Sequence, residues 1–203
     1  FPQDVQELQA LLGPLQSGQT IQAVPGTGTN VPLWILGSSL FGAQLAAALG
    51  LPYAFASHFA PAALMEALDV YRRSFQPSAQ LKKPYAMVGV MGCAADTDEQ
   101  AQYLFTSMQQ GFTNMIRGTR GLLQAPIDDI ETYWSLMEKQ HVQGMVSKAI
   151  VGSPDTVRDR MARLIKETEA DELIIAGPIY DHTARLRSFE LMAEAAAALG
   201  KGH

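Results

Sequence analysis

The sequence predicts an α/β fold built on a parallel β-sheet. Four compact apolar runs alternate with segments of helical periodicity, which is the order that strand–helix–strand units produce. The runs are apolar at consecutive positions, as expected for parallel strands that are covered on both faces. With 203 residues, 47% of them hydrophobic, the chain can bury a sizeable core. Four strands cannot close a barrel, so the pattern fits either a small open α/β domain or part of an eight-stranded barrel.

The first quarter of the chain is predicted to hold two helices and one strand. Apolar residues recur at helical spacing from Val5 to Leu12, and Gly13 with the proline after it ends that helix. The apolar run Val31–Leu36 predicts the first strand. The alanine-rich segment Leu40–Leu49 predicts a helix, with Gly50 as its C-terminal cap.

The middle of the chain predicts two more strand–helix units. Tyr53–Ser57 is the second strand, and a helix follows from about Pro61 to Phe75, with the proline in its first turn. Tyr85–Gly92 is the third strand. Asp96 is the predicted N-cap of the next helix, which runs to about Arg117.

The last third of the chain predicts a fourth unit. Ser153 followed by a proline is a helix start signal, and that helix continues to about Glu169. Leu173–Gly177 is the fourth strand, and a last amphipathic helix covers roughly Ala184–Leu199.

We expect residues 1–203 to form a single domain with one irregular excursion. Residues 118–145 are the least regular part and are predicted to contain one short helix near Ile130–Gln140. Residues 200–203 are expected to be a frayed tail or a cloning remnant without functional weight. The chain begins at Phe1 without a methionine, inside a helical pattern, which is expected if an earlier segment is missing.

Charge and cysteine content exclude several classes of function. The chain has 20 acidic and 15 basic residues, a net charge of −5, and its basic residues form no cluster, so nucleic-acid and anionic-membrane partners are disfavoured. The single cysteine excludes a disulfide scaffold and a multi-cysteine zinc site and favours a reducing compartment, the cytoplasm. No apolar stretch approaches the roughly 20 residues of a spanning helix, and no signal peptide is visible.

Ligands of parallel α/β folds bind at the carboxyl ends of the strands, which selects four loops. These loops are Gly37–Ser39, Ser57–Phe59, Gly92–Thr97 and Gly177–His182. Gly37-Ser38-Ser39 combines backbone N–H groups, hydroxyls and a helix N-terminus, which suits a phosphate. The alternative is an ordinary helix cap by Ser38 or Ser39.

The histidines and the cysteine differ in what their positions indicate. His58 ends a strand, where it could act as a general acid or base or be satisfied by a backbone carbonyl. Asp181 beside His182 is predicted to cap the last helix. His141 is expected at the surface, and Cys93 is expected to be a buried apolar residue rather than a nucleophile.

Several motifs are absent from the sequence. There is no Gly-x-Gly-x-x-Gly after a strand, no Walker-type loop, no helix with paired histidines and no Gly-x-Ser-x-Gly. The residues alone therefore assemble no complete catalytic set and no metal site.

The ordered series of motifs resembles the bacterial luciferase-like monooxygenases, in the branch related to the luciferase α subunit. The matching segments extend over nearly the whole chain: residues 37–39, 44–46, 50–59, 83–88, 104–110, 151–154, 181–182 and 188–191. That family folds as a (β/α)8 TIM barrel with an insertion. The resemblance implies that this chain supplies roughly strands five to eight and their helices, the carboxyl-terminal half, with residues 118–145 as the variable insertion.

The resemblance also implies a cofactor and its site. The family uses reduced FMN and O2 to oxidise small organic substrates. By similarity, Gly37, Ser38 and Ser39 would bind the flavin at the end of strand five. Three residues at the end of strand six would face the isoalloxazine or the substrate: Ala56, Ser57 and His58. The family's active-site histidine and phosphate-binding arginine come from the first half of the barrel, so His58 is the one catalytic candidate here.

The resemblance further implies a separate flavin reductase and a homodimer of the full-length protein. Two alternatives stay open on the sequence. One is a non-catalytic flavin-binding or subunit module of the same fold, and the other is a deazaflavin-dependent oxidoreductase, since the same barrel family uses that cofactor.

Overall fold

A computed structural model describes residues 1–200 of the chain. The helices are α1 (Pro2–Leu12), α2 (Leu40–Leu49), α3 (Leu64–Ser74), α4 (Asp98–Ile116), α5 (Leu136–Met145), α6 (Pro154–Thr168) and α7 (His182–Gly200). The strands are β1 (Ile35–Gly37), β2 (Tyr53–Ala56), β3 (Ala86–Ala94), β4 (Ile150–Gly152) and β5 (Glu172–Ala176). Short 3₁₀ turns cover Pro61–Ala63 and Ile130–Thr132.

Four of the strands lie side by side in chain order, all parallel. β1 pairs with β2, and β2 pairs with β3. On its other edge, β3 pairs with β5 through residues 87–91. The carboxyl end of β3 continues past these ladders and pairs with the short β4. Sequential parallel neighbours without a reversal of strand order are the arrangement of consecutive barrel strands, whereas a doubly wound sheet reverses.

One face of this sheet is covered by helices and the other is open. Ile35, Phe55 and Val88 point to the covered face, where they pack in a core formed with α2, α3, α6 and α7. Alternate residues point the other way: Leu36 is 69% exposed and Ile174 is 56% exposed. A sheet arc with helices outside and an open inner face is one part of a barrel wall, which confirms the predicted fold class.

Helix α4 builds a second, smaller core at the carboxyl end of β3. Its buried face packs Ala101, Phe105 and Met108 against Cys93 and Val151. The same helix carries a row of polar side chains along a neighbouring stripe, and these bind the irregular segment that follows it. The second core therefore fixes α4, and α4 in turn positions residues 118–145.

Three side chains at four-residue spacing on α4 attach the irregular segment to this helix through hydrogen bonds. The hydroxyl of Thr106 accepts from the backbone N–H of Ile127 at 2.9 Å. The side chain of Gln110 donates to the carbonyl of Ala125, also at 2.9 Å. The amide oxygen of Asn114 accepts from the Tyr133 hydroxyl at 2.8 Å. Because residues four apart share one helix face, the segment lies along a single side of α4.

The first strand is shorter than predicted. The apolar run suggested Val31–Leu36, but the strand covers only Ile35–Gly37. Pro32 has no N–H to donate, and both backbone groups of Leu33 are bonded to the side-chain amide of Gln80. The N–H and the carbonyl of Leu33 are thereby satisfied without a strand partner.

Two other local predictions are corrected. The cap of α4 is Thr97 rather than Asp96, since the Thr97 hydroxyl accepts from the N–H of Gln100. β4 was not predicted, because three residues between a loop and a helix carry too little pattern. The cap at Gly50 is confirmed: it adopts the left-handed conformation, and a side chain there would meet the carbonyl of Gln76.

The predicted tail at 200–203 lies outside the described residues except for Gly200, which ends α7. Within residues 1–200, no helix combines the length and hydrophobicity needed to cross a bilayer.

Candidate functional site

The Gly37-Ser38-Ser39 turn joins β1 to the first turn of α2. Gly37 packs closely on α2, because a Cβ on it would lie 3.5 Å from the Cα of Gly42. The Tyr53 hydroxyl donates to the carbonyl of Ser39 at 3.2 Å and holds the turn in place. Ser39 occupies the N-cap position of α2, but its side chain makes no capping hydrogen bond. The hydroxyl and the first N–H groups of α2 are therefore not used by a side-chain cap.

The end of β2 lies on the adjacent strand at the same edge of the sheet. Gly37 pairs with Phe55, so the segment after Ala56 lies just beyond the level at which β1 ends. Ser57 is buried, and its hydroxyl donates to the carbonyl of Gly89 at 2.6 Å. The hydroxyl of Ser57 thus holds β2 against β3. Ala56 is buried as well, 4% exposed.

The imidazole of His58 lies over Gly89. Its backbone N–H donates to the carbonyl of Gly89 at 3.1 Å, and its ring packs on Phe59 with 4.2 Å between the ring centres. The ring nitrogen Nδ1 is buried and has no hydrogen-bond partner among residues 1–200. His58 is thus not the carbonyl-satisfied histidine that the sequence left open. A buried polar atom without a partner is uncommon in folded proteins, and such atoms are often found at functional positions.

The end of α5 covers His58. A narrow void, too small for a water molecule, lies between Ser57 and His58 on one side and Met145 to Ala149 on the other. The segment predicted as an insertion therefore reaches back to the ends of β2 and β3. It shields this edge of the site from solvent.

A larger cavity of about 350 Å³ opens nearby at the carboxyl end of β5. Met91 contributes from β3, beside the last residue of β5, and Pro178 contributes from the loop after β5. Helix α4 and residues 120–123 supply the other walls. Met91 also lines the void beside His58, so the two spaces share one side chain. A mostly apolar pocket at the carboxyl ends of parallel strands is the usual location of a ligand in such folds.

The polar side chains of the other two strand-end loops make contacts that stabilise the fold. The Asp181 carboxylate accepts from the N–H of Ala184 at 2.7 Å, which confirms it as the cap of α7. His182 Nδ1 lies 2.9 Å from the guanidinium of Arg185, which can only donate. In the Gly92–Thr97 loop, Asp96 forms an ion pair with Arg187 at 3.0 Å.

Cys93 and His141 behave as predicted. Cys93 is buried in the second core, and burial raises the pKa of its thiol to about 12, so it stays protonated near neutral pH. His141 is exposed on α5. Among residues 1–200 no group of three or more potential ligands is placed to hold a metal ion.

Sequence reasoning missed three features of the site: Gly89, the α4 wall and Arg120. Gly89 lies inside a strand, and a Cβ on it would be 2.9 Å from Nδ1 of His58. A glycine within a strand pattern is a known sign of close approach, so this signal was present in the sequence. The α4 wall and Arg120 carried no signal, because helical apolar spacing is equally typical of a core.

Comparison with known proteins identifies relatives along almost the whole chain. The family description "Luciferase-like monooxygenase" matches residues 11–172. An Escherichia coli (strain K12) luciferase-like monooxygenase is 49% identical over 191 residues, covering 94% of this chain and 57% of the relative. YvbT of Bacillus subtilis (strain 168) is 45% identical over 195 residues, covering 96% and 58% respectively. The chain thus spans a little over half the length of these relatives.

Solved structures agree with this result. The crystal structure of apo-MsnO8 has a TM-score of 0.77 and 31% identity, covering 97% of this chain and 59% of that one. Riboflavin lyase RcaE, solved with modified FMN, has a TM-score of 0.53 and 18% identity over 90% of this chain and 46% of its own. An F420-dependent secondary alcohol dehydrogenase has a TM-score of 0.59 and 12% identity over 96% and 59%. The last two share the fold.

Proposed function

The chain belongs to the luciferase-like monooxygenase family, and on that premise we propose that the whole protein uses reduced FMN and O2 to oxidise a small organic substrate. In such a reaction one oxygen atom enters the substrate and the other leaves as water, with both electrons supplied by the reduced flavin. The observation that carries the proposal for this chain is the pair of unused polar groups at one sheet edge. These groups are the Ser39 hydroxyl and Nδ1 of His58.

The Gly37–Ser39 turn fits the phosphate of FMN. Backbone N–H groups at the start of α2 point out of the helix, and the helix dipole favours an anion there. The Ser39 hydroxyl, which makes no cap bond, can donate to a phosphate oxygen. Tyr53 holds the turn through the Ser39 carbonyl, so these donors are fixed before a ligand arrives.

His58 fits a role toward the ring system or the substrate. Nδ1 lies against Gly89, so the imidazole must turn before this nitrogen can donate a hydrogen bond to a ligand carbonyl or accept one from a ligand N–H or O–H. The imidazole fits against β3 because Gly89 has no side chain. The end of α5 excludes water from the imidazole. Water exclusion strengthens any polar contact formed there.

An anaerobic titration of the full-length protein with reduced FMN tests the cofactor assignment. We expect binding at micromolar concentration, and Ser39→Ala is expected to weaken it about tenfold, the usual effect of losing one charge-assisted hydrogen bond. Ser153→Ala is the matched control, because Ser153 is also an N-cap residue without a capping bond and lies at α6. No binding at micromolar concentration would overturn the assignment.

The same preparation separates the two alternative functions. Binding of a deazaflavin but not of FMN, read from the absorbance of the bound cofactor, would favour the deazaflavin-dependent oxidoreductase. Binding of reduced FMN without any oxygenated product across a substrate panel would favour a non-catalytic module. We also propose that a separate reductase supplies the reduced flavin and that the full-length protein is a homodimer, which sedimentation would test.

A further inference from the structure

The cavity at the carboxyl end of β5 has a wall of sulfur and aromatic side chains. Helix α4 presents Met108, Phe112 and Met115 to it, spaced four and three residues apart along one helix face. The remaining apolar side chains of the lining come from β3, the segment after α4 and the loop after β5: Met91, Leu122, Leu123 and Pro178. Methionine side chains adapt to ligands of varied shape and pack well on rings and alkyl chains.

Gly111 leaves part of the α4 wall empty. It lines the cavity, and no atom lies within 4 Å of the position that a Cβ would occupy. A larger side chain at this position would therefore enter open space without displacing the protein.

Among residues 1–200, two polar side chains line the cavity, and one of them already forms hydrogen bonds within the protein. Asn114 accepts a hydrogen bond from Tyr133 and donates to Gln124. Arg120 makes no hydrogen bond or ion pair that the structure of residues 1–200 records. The nearby Arg117 differs, because it forms a two-point ion pair with Glu138 and lies 5.1 Å from the ring centre of Tyr133.

An arginine at the rim of an apolar cavity favours a ligand that has an apolar body and an anionic group at one end. The apolar walls favour an alkyl or aromatic body, while the guanidinium has no acid of its own and can pair with a planar monoanion through two parallel hydrogen bonds. A carboxylate matches this geometry. A doubly charged phosphate would need more cationic or N–H partners than a single arginine provides.

We propose that this cavity binds the organic substrate and that the substrate is an apolar carboxylate, with its carboxylate on Arg120 and its body between α4 and Met91. That the bound carboxylate is oxidised rests on the proposed function. The binding of a carboxylate in this cavity does not depend on it. The volume of about 350 Å³ lies at the lower end of the range for small-molecule sites, which favours a short chain or a single ring system.

Calorimetric titration of the full-length protein without flavin tests the binding. The probes are octanoate, octan-1-ol and octylamine, which share one alkyl body and differ in the charge of the head group. We expect octanoate to bind about tenfold or more tightly than octan-1-ol, and octylamine to bind more weakly than either. Equal affinity for all three probes would overturn the proposal.

Two pairs of variants locate the binding. Arg120→Gln is expected to remove the preference for octanoate over octan-1-ol, while Arg120→Lys keeps part of it because the charge is retained. Gly111→Leu is expected to weaken both ligands at least tenfold by filling the cavity. Gly144→Leu is the matched control, since Gly144 is also an exposed helical glycine with open space around it, and it lies on α5. An unchanged octanoate affinity in Gly111→Leu would place the ligand elsewhere and contradict the proposal.

The test separates this inference from the proposed function. If octanoate binds with the expected variant pattern but reduced FMN does not bind, the ligand class stands and the monooxygenase proposal fails. If reduced FMN binds but none of the three probes does, the monooxygenase proposal stands and the carboxylate proposal is wrong.

Discussion

His58 lies so close to Gly89 that its Nδ1 is 2.9 Å from the place where a Cβ on Gly89 would be. The same glycine accepts hydrogen bonds at its carbonyl from the Ser57 hydroxyl and from the N–H of His58. One residue of β3 thus fixes both the backbone at the end of β2 and the position of the imidazole. The absence of a side chain at Gly89 is therefore a requirement of the site.

We expect Gly89→Ala to displace the His58 ring while leaving the sheet intact. The added methyl must move the imidazole, at a cost in the range of about 1–3 kcal/mol for overpacking a filled site. If His58 contacts the flavin or the substrate, Gly89→Ala should lower turnover about as much as His58→Ala does. Nuclear magnetic resonance of the ring nitrogens measures the displacement, and steady-state kinetics of the full-length protein measures the turnover.

Gly144→Ala serves as the control for this substitution, because a methyl at position 144 meets nothing and lies outside the cavity. An unchanged imidazole resonance in Gly89→Ala would contradict the predicted clash. A displaced ring with full turnover would leave the packing result intact and remove His58 from the mechanism.

A second prediction concerns the start of α6, which is capped by a residue from α4. The Asp98 carboxylate accepts from the N–H of Ser153 at 2.6 Å and from the Thr156 hydroxyl at 3.0 Å, and these bonds lower its pKa. We expect Asp98→Ala to lower the melting temperature clearly more than Ser153→Ala, because the Ser153 hydroxyl reaches only Thr156, at 3.3 Å. Differential scanning calorimetry of both variants makes the comparison, and equal melting temperatures would refute it.

A third prediction follows from the buried thiol of Cys93. Burial raises its pKa from 9.0 to about 12, so the folded protein keeps the proton that the unfolded chain releases above about pH 9. The contribution of this group to stability is therefore complete below pH 9 and is lost as the pH rises toward 12. Compared with Cys93→Ala, the native protein should lose more unfolding free energy between pH 8 and pH 10, as measured by urea denaturation at each pH.

Thiol labelling gives an independent measurement of the same property. Cys93 is the single cysteine, so all labelling reports on it. We expect negligible reaction with a disulfide reagent at pH 8 in the folded state and complete reaction in guanidinium. Rapid labelling of the folded protein would show that the thiol is accessible.

A fourth prediction concerns the ion pair that anchors α5. The Arg117 guanidinium and the N–H of Ser135 both donate to Glu138 and lower the pKa of its carboxyl from 4.5 to about 2. Its stabilising effect is present above pH 4.5 and is lost as the pH falls toward 2. We expect Glu138→Gln to reduce amide hydrogen-exchange protection in α5 at pH 7. Glu7→Gln, in exposed α1, is the control and should leave that protection unchanged.

The parts of the site that could be predicted from the sequence are those defined by residue type at a strand end. Gly37-Ser38-Ser39 and His58 were identified because glycine, hydroxyl and imidazole groups stood after apolar runs. Their partners could not be predicted, since the packing of His58 on Gly89 depends on the register of β2 and β3. The register depends on how all the strands pack in the sheet, so it cannot be predicted from the sequence of either strand alone.

The arginines illustrate the same limit. Arg117 and Arg120 are three residues apart and look equivalent in the sequence. Only the fold shows that Glu138, 21 residues further on, pairs with the first and leaves the second beside the cavity. The short first strand likewise depends on Gln80, 47 residues away from Leu33.

The bonds from Thr106, Gln110 and Asn114 divide the segment after α4 into bound and unbound stretches. The bound residues, from Ala125 onward, keep α5 over the end of β2. Residues 120–123 form one wall of the cavity. They lie between Thr119 and Gln124, which are both bonded to Asn114, and make none of these bonds themselves. These four residues can therefore be exchanged without removing the hydrogen bonds that hold α5. If the cavity binds the substrate as proposed, substrate preference can change at little cost to folding.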